Sequence, residues 1–216
     1  MKYTKYNVDE SFFTRDTAES FYWAGFIAAD GCVFYTRPNK TSGFLGIGLS
    51  SVDRDMLIKF KECIRFNGQI KDKATTKHNP NGTSKIQISR VSIVKSLERF
   101  NIVPNKTKVY TFPNWIKFHS LVNHFMRGYL DGDGSFYITK QSNRNHLCFS
   151  LCGTKEFLND YRNILASNCN LKLNKICKSR GIWDVKYAGN PNTFKIREFL
   201  YMNSKYLIQM DRKYKR

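Results

Sequence analysis

The stretch Phe21 to Gly31 (FYWAGFIAADG) returns in altered form as Phe125 to Gly134 (FMRGYLDGDG), with Gly25, Asp30 and Gly31 each repeated 103 residues later as Gly128, Asp133 and Gly134. A chain with two such copies is constrained to build two related halves around two related helices. Asp16 followed by Glu19, and Ser120 followed by Asn123, supply helix-starting chemistry ahead of each apolar run. Gly31 and Gly134 are placed to stop each helix in the left-handed conformation. Between those signals Ala24 with Ala28, Gly25 with Ala29 and Gly128 with Gly132 set small residues four apart, so two helical faces can approach closely.

The acid at the end of each copy is the anomaly. A carboxylate in the last helical turn meets the negative end of the helix dipole, at a cost of roughly 0.3–1 kcal/mol. Packing the helices together also brings Asp30 towards Asp133, and like charges about 4 Å apart repel by about 4 kcal/mol at an effective dielectric of 20. A divalent cation between them removes both costs.

The rest of each half repeats too. Cys32–Arg37 reads as a strand, Pro38–Gly43 as a turn, and Phe44–Ser50 alternates Leu45, Ile47 and Leu49 with small residues, the period of a half-buried strand. In the second half Phe136–Lys140, a turn at Gln141–Asn145, and the alternation of Leu147, Phe149 and Leu151 follow the same plan. An amphipathic helix comes next, with Leu57 matched by Leu158. A second strand pair then brackets a polar loop, Lys71–Lys85 in one half and Lys172–Gly181 in the other. A last helix matches Leu97 with Phe199. These landmarks lie 101 and 102 residues apart. The predicted fold is therefore α+β, two pseudo-symmetric αββαββα repeats, each with a four-stranded antiparallel sheet. Residues 1–16 form an N-terminal arm, 17–103 the first repeat, 104–119 a linker marked by Pro104 and Pro113, and 120–216 the second repeat.

Residues 23–31 and 126–134 resemble the two signature helices of the LAGLIDADG homing endonucleases, in the single-chain form that carries both motifs. Two such nonapeptides in tandem are a far more specific signal than one. Ala28 departs from the motif where Asp131 keeps an acid, at a position that varies in the family. The resemblance implies that the signature helices pack at the centre and the two sheets form a saddle over DNA. It also implies metal ligation by Asp30 and Asp133, with the backbone carbonyls of Ala29 and Gly132, and a basic residue near each metal. The Val103–Thr107 stretch nominates Lys106, and Met210–Lys213 nominates Lys213, with Arg212 an equally good choice. The expected cofactor is Mg²⁺, with Mn²⁺ substituting and Ca²⁺ binding without supporting cleavage.

Composition agrees with a polyanionic partner: 36 Lys and Arg stand against 17 Asp and Glu, a net charge of +19. A two-stranded ribbon fits the DNA major groove. The turn and strand residues expected to contact DNA are Arg37, Lys40, Lys71, Lys73, Lys77, Lys85, Lys140, Arg144, Lys172, Lys175, Lys178, Arg180 and Lys186. Aromatic residues at 15% argue for a packed core rather than a disordered basic tail. Neither a signal peptide nor an apolar run long enough to span a bilayer is present, so the protein is expected to stay inside the compartment that makes it.

Other readings of the same residues fare worse. Asp131-Gly-Asp-Gly-Ser135 begins like a calcium-binding EF-hand loop, but Phe136 and Ser142 stand where glycine and a bidentate acid are needed. Asp184-Val-Lys186 fits a short D-x-K nuclease element without a suitable upstream acid. The six cysteines show no C-x-x-C pair. His78, His119, His124 and His146 are scattered and read as surface or capping residues. The expectation is a monomeric endonuclease making a staggered double-strand break in a long DNA target. The rival from another class is a non-cleaving protein on the same scaffold, an intron RNA maturase or a transcriptional regulator.

Overall fold

The computed structural model describes residues 6–77, 80–141, 144–179, 181–202 and 208–214. Two helices lie at its centre, α1 (Ala18–Asp30) and α4 (Val122–Asp133). Each runs directly into a strand, so that each half reads helix, two strands, helix, two strands, helix. In the first half these are β1 (Gly31–Tyr35), β2 (Gly43–Ser50), α2 (Arg54–Cys63), β3 (Lys71–Lys73), β4 (Thr83–Ile88) and α3 (Val91–Leu97). In the second they are β5 (Gly134–Gln141), β6 (Arg144–Gly153), α5 (Lys155–Cys169), β7 (Ile176–Ser179), β8 (Ile182–Ala188) and α6 (Asn190–Tyr201), followed by a short α7 (Asp211–Tyr214). Both sheets are antiparallel, in the orders β1-β2-β4-β3 and β5-β6-β8-β7. The αββαββα expectation holds in both halves.

Alternation fixes which face of each sheet is covered. In β2, Leu45, Ile47 and Leu49 are buried, and in β4, Ile86 and Ile88 join them against the helices. Phe149, Leu151, Val185 and Tyr187 do the same in the second half. Among the described residues, no helix covers the opposite face of either sheet. The central helices are buried nearly all round, from Ser20 to Ala28 and from Val122 to Asp131. A helix buried on every side belongs at the centre of a core rather than on one flank.

Several local expectations are corrected. Thr17, not Asp16, caps α1: its side chain accepts from the Ser20 amide while Ser20 Oγ accepts from the Thr17 amide. Asp16 is drawn off instead by Arg99, at 2.7 Å. Helix α4 has Leu121 at its cap position and no side-chain cap. Gly31 and Gly134 are extended, with φ of −88° and −125°, because each starts a strand rather than a left-handed stop. They remain glycines for lack of room: a Cβ would lie 2.6 Å from Ile27 Cγ2 and 2.3 Å from Leu130 Cδ1. In the second half the expected loop over residues 172–181 contains β7, which pairs Ile176 with Val185. Strand pairing reaches into the turn expected at 141–145, joining Gln141 to Arg144. Among the described residues, no helix is long and apolar enough to cross a membrane.

Candidate active site and nucleic-acid interface

The crossing of α1 and α4 is made by two glycines. A Cβ on Gly25 would lie 2.0 Å from the Phe125 carbonyl oxygen, and one on Gly128 would lie 1.9 Å from the Tyr22 carbonyl oxygen. Tyr22 and Phe125 are themselves 103 residues apart, so the contact is reciprocal. The helices meet again near their ends, where a Cβ on Gly132 would fall 2.3 Å from that of Ala29 and 3.4 Å from Asp30 Oδ2. Asp30 and Asp133 therefore end adjacent helices at one place.

Both carboxylates remain open to solvent on one side, yet the protein packed around them makes ionisation costly. The Asp30 pKa is pushed up to about 6, first by burial and then by the charge of Asp133. Asp133 is also raised by burial. Lys106 and Lys213 pull both back down.

The two lysines occupy matching positions. Asn105, in the left-handed conformation at φ 61°, turns the chain into a 3-10 turn that begins with Lys106. Lys106 is buried, and its Nζ donates to the Gly31 carbonyl at 2.8 Å. Lys213 sits in α7, is equally buried, and donates to the Gly134 carbonyl at 2.8 Å. It reaches three further carbonyls at the end of α4: Asp131 at 2.6 Å, Gly132 at 2.9 Å and Leu130 at 3.4 Å. Cations there satisfy carbonyls that a helix end leaves unpaired. Burial lowers both lysine pKa values, and the carboxylates oppose that shift. Arg212, the other candidate in the second half, forms a two-pronged pair with Asp53.

The groups that the resemblance nominates for a metal, the Asp30 and Asp133 carboxylates and the Ala29 and Gly132 carbonyls, are all oxygen donors, a set suited to Mg²⁺, Mn²⁺ or Ca²⁺ rather than zinc. Among the described residues, no group of three or more His, Cys, Asp or Glu gathers. Mg²⁺ does not need one, since it is commonly held by one or two carboxylates, waters and a substrate phosphate. Burial first, and then the charge of Asp133, hold the Asp30 pKa up, and a cation bound beside it would oppose both effects. Gly132 shares its carbonyl with Lys213, and a carbonyl oxygen has a second lone pair. The residues fit such a cation.

The basic residues singled out for DNA distribute unevenly. Lys71, Lys73 and Lys85 share the uncovered face of the first sheet, Lys71 directly opposite Lys85. Arg144 and Lys186 lie on the uncovered face of the second, and Lys186 is paired with Asp184 at 3.0 Å. Arg37 and Lys40 are exposed in the β1–β2 turn, with Lys40 held 3.4 Å from Glu98. Lys77 is exposed between β3 and β4, and Lys172 and Lys175 are exposed ahead of β7. Lys140 and Lys178 fall on the helix-side register. Lys178 instead stacks with Lys155 on Trp183, at 5.5 and 5.3 Å from the ring centre. Those three border a cavity of about 530 Å³ that also reaches Lys106 and Asp133. Arg180 and His78 lie outside the described residues.

One buried polar layer beside the site escaped sequence reasoning. Asp131 is fully buried and accepts from Tyr22 Oη at 2.7 Å, Tyr201 Oη at 3.0 Å and the Met210 amide at 2.8 Å. Arg127, also fully buried, lies over the Tyr22 ring at 5.2 Å and donates to the Leu200 carbonyl and to His124 Nδ1. His124 is thus an interior acceptor rather than a surface residue, and burial then Arg127 push its pKa down to about 4. The signal available was Arg127 and Asp131 within an otherwise apolar motif; apart from His124, three residues from Arg127, their partners are 70 or more residues away in sequence.

No family model and no curated protein sequence matches the chain. Solved structures do. The LAGLIDADG meganuclease I-AabMI, bound to uncleaved DNA, superposes with a TM-score of 0.56 at 14% identity, over 90% of this chain and 86% of that one. The I-LtrWI LAGLIDADG homing endonuclease, bound to target DNA, gives 0.56 at 14% identity over 94% and 86%. A variant of I-SmaMI with two lysines replaced by alanine gives 0.54 at 16% identity over 88% and 85%. The chain has the LAGLIDADG fold along nearly its whole length.

Proposed function

We propose that this chain with the LAGLIDADG fold is a site-specific, metal-dependent DNA endonuclease, acting as a monomer in which each repeat cuts one strand. The observation that carries the reading is the pairing of two costly carboxylates at the ends of crossed helices with two buried lysines, each bound to the carbonyl just after its acid. A DNA-binding scaffold that never cuts has no need to keep two acids facing one another. The solved structures sharing the fold include endonucleases bound to DNA, and the excess of basic residues favours a polyanion.

In this reading Asp30, Asp133 and the carbonyls of Ala29 and Gly132 hold Mg²⁺. A bound cation supplies Lewis-acid stabilisation of the charge developing at phosphorus. Lys106 and Lys213 add fixed positive charge beside the scissile phosphates, preorganised by their carbonyl partners and kept largely from water. Lys71, Lys73 and Lys85 on one sheet, and Arg144 and Lys186 on the other, engage phosphates and base edges. About ten neutralised phosphates give a log–log salt slope near −9.

The test is cleavage of a randomised duplex library in Mg²⁺, read by sequencing the ends, for wild type beside Asp30→Asn and Asp133→Asn. Staggered breaks at one long motif, with double-strand cutting lost in each variant, support the reading. Tight binding of a motif with no cutting in Mg²⁺ or Mn²⁺ rejects it in favour of a DNA- or RNA-binding regulator.

A further inference from the structure

The two lysines at the site arrive on segments that reach across to the opposite repeat. The segment carrying Lys106 leaves α3 of the first half and is fastened to the second. The Tyr110 carbonyl accepts from Thr154 Oγ1 at 2.5 Å, and the Tyr110 ring stacks against Tyr129 at 6.2 Å. The segment carrying Lys213 follows α6 of the second half and is fastened to the first. Arg212 grips Asp53 at 2.5 and 2.7 Å, and Lys59 of α2 donates to the Gln209 carbonyl and to Asp211, each at 3.3 Å.

Asp53 and Thr154 are equivalent positions, the N-cap residues of α2 and α5, spaced by the 101 residues that relate those helices. Thr154 caps its helix, accepting from the Phe157 amide at 3.1 Å. Asp53 does not: its buried carboxylate makes no cap and turns wholly to Arg212. Asp53 thereby forgoes the stabilisation that a cap would give α2, and its carboxylate is committed to the neighbouring strap.

Resting on the endonuclease reading, we propose that Asp53 of the first repeat is a positioning residue for Lys213 of the second, as Thr154 of the second is for Lys106 of the first. The first repeat thereby controls strand cutting that depends on Lys213. Arg212 is adjacent to Lys213 in a four-residue helix, so loosening the Asp53 pair lets that helix, and the lysine with it, shift against the end of α4. Displacement of about 1 Å is enough to cost on the order of 100-fold in rate.

The experiment labels the two strands of the selected target separately and follows single-turnover cutting in Mg²⁺ by wild type, Lys213→Met, Asp53→Asn, and the reversed pair Asp53→Arg with Arg212→Asp. Lys213→Met defines which strand depends on that lysine. Asp53→Asn should slow the same strand by about 10- to 100-fold, leave the other near wild type, and accumulate nicked duplex, with DNA binding in Ca²⁺ unchanged. The reversed pair should restore the slowed strand. Equal slowing of both strands, or of neither, overturns the proposal. Hydrogen exchange at the Met210 amide, which Asp131 protects, provides an arm independent of cutting. If wild type cuts nothing, the endonuclease reading has failed, yet faster exchange at Met210 in Asp53→Asn still supports the strap and unchanged exchange still refutes it.

Discussion

Helices α1 and α4 share a backbone path and differ in the polar groups they bury. Where backbones touch, the residues match: Gly25 with Gly128, and the paired acids Asp30 with Asp133. Where side chains face their own half they diverge, with Ala24 answered by Arg127, Ala28 by Asp131 and Phe21 by His124. The first helix is an apolar rod. The second carries a buried polar layer that ties it to α6 and to the segment before α7. Symmetry is thus held by steric contact and by the chemistry at the helix ends, and released elsewhere. Single substitutions can probe that division at each layer.

The crossing should fail completely and equally from either side. Gly25→Ala and Gly128→Ala each drive a Cβ to about 2 Å from a main-chain oxygen, where no side chain can swing aside. Each should destabilise by more than about 5 kcal/mol, seen as loss of cooperative urea unfolding and near-ultraviolet circular dichroism. If either alanine folds normally, the two helices do not meet at these glycines.

The buried polar layer should break from one side only. Asp131→Ala strips the acceptor from two tyrosines and a main-chain amide and leaves Arg127 without a nearby carboxylate, at a cost of about 3–5 kcal/mol. Ala28→Gly at the matching position should cost only about 1 kcal/mol, the helix-propensity difference. Urea midpoints for the two variants measure the asymmetry directly.

His124 and Phe21 extend the comparison into pH. With its folded pKa depressed from 6.5 to about 4, His124 is neutral when folded and takes up a proton more readily when unfolded. Its contribution is complete above pH 6.5 and is lost as pH falls through 4, at most about 3 kcal/mol. Urea unfolding of wild type and His124→Phe at pH 7 and pH 4.5 isolates it, because the carboxylates common to both cancel. A pH dependence identical in the two proteins refutes the assignment.

The sequence carried the duplication, the strand alternation and the acids at the helix ends, because each is a local pattern or a fixed spacing. Lys106 and Lys213 were reachable only through the resemblance. They lie 75 and 79 residues from the glycine carbonyls they bind, and no periodicity connects them. The Asp53 partner that sets Arg212 apart from Lys213 lies 159 residues away in sequence, beyond the reach of any local pattern. The caps were misplaced for a different reason. Asp16 and Ser120 are good capping residues, but Arg99 competes for the first, and burial stabilises α4 without a side-chain cap.

The smallest expected effect has the opposite sign. Asp30 titrates near 6 when folded, against 3.8 in the open chain, so the folded state bears the cost of its charge in full above pH 6 and escapes it below 3.8. Asp30→Asn, neutral throughout and nearly the same shape, should melt at a higher temperature than wild type at pH 7.5, with the gain shrinking as pH falls towards 4. Asp133→Asn should act in the same direction. The double variant should gain less than the sum, because removing either charge already relieves the repulsion felt by the other. Mg²⁺ should raise the melting temperature of wild type and lose that effect in both variants, since a ligand stabilises only the state that binds it. A lower melting temperature for Asp30→Asn at pH 7.5 would instead show its carboxylate to be a structural anchor, and the resemblance between the two helix ends would then be one of sequence alone.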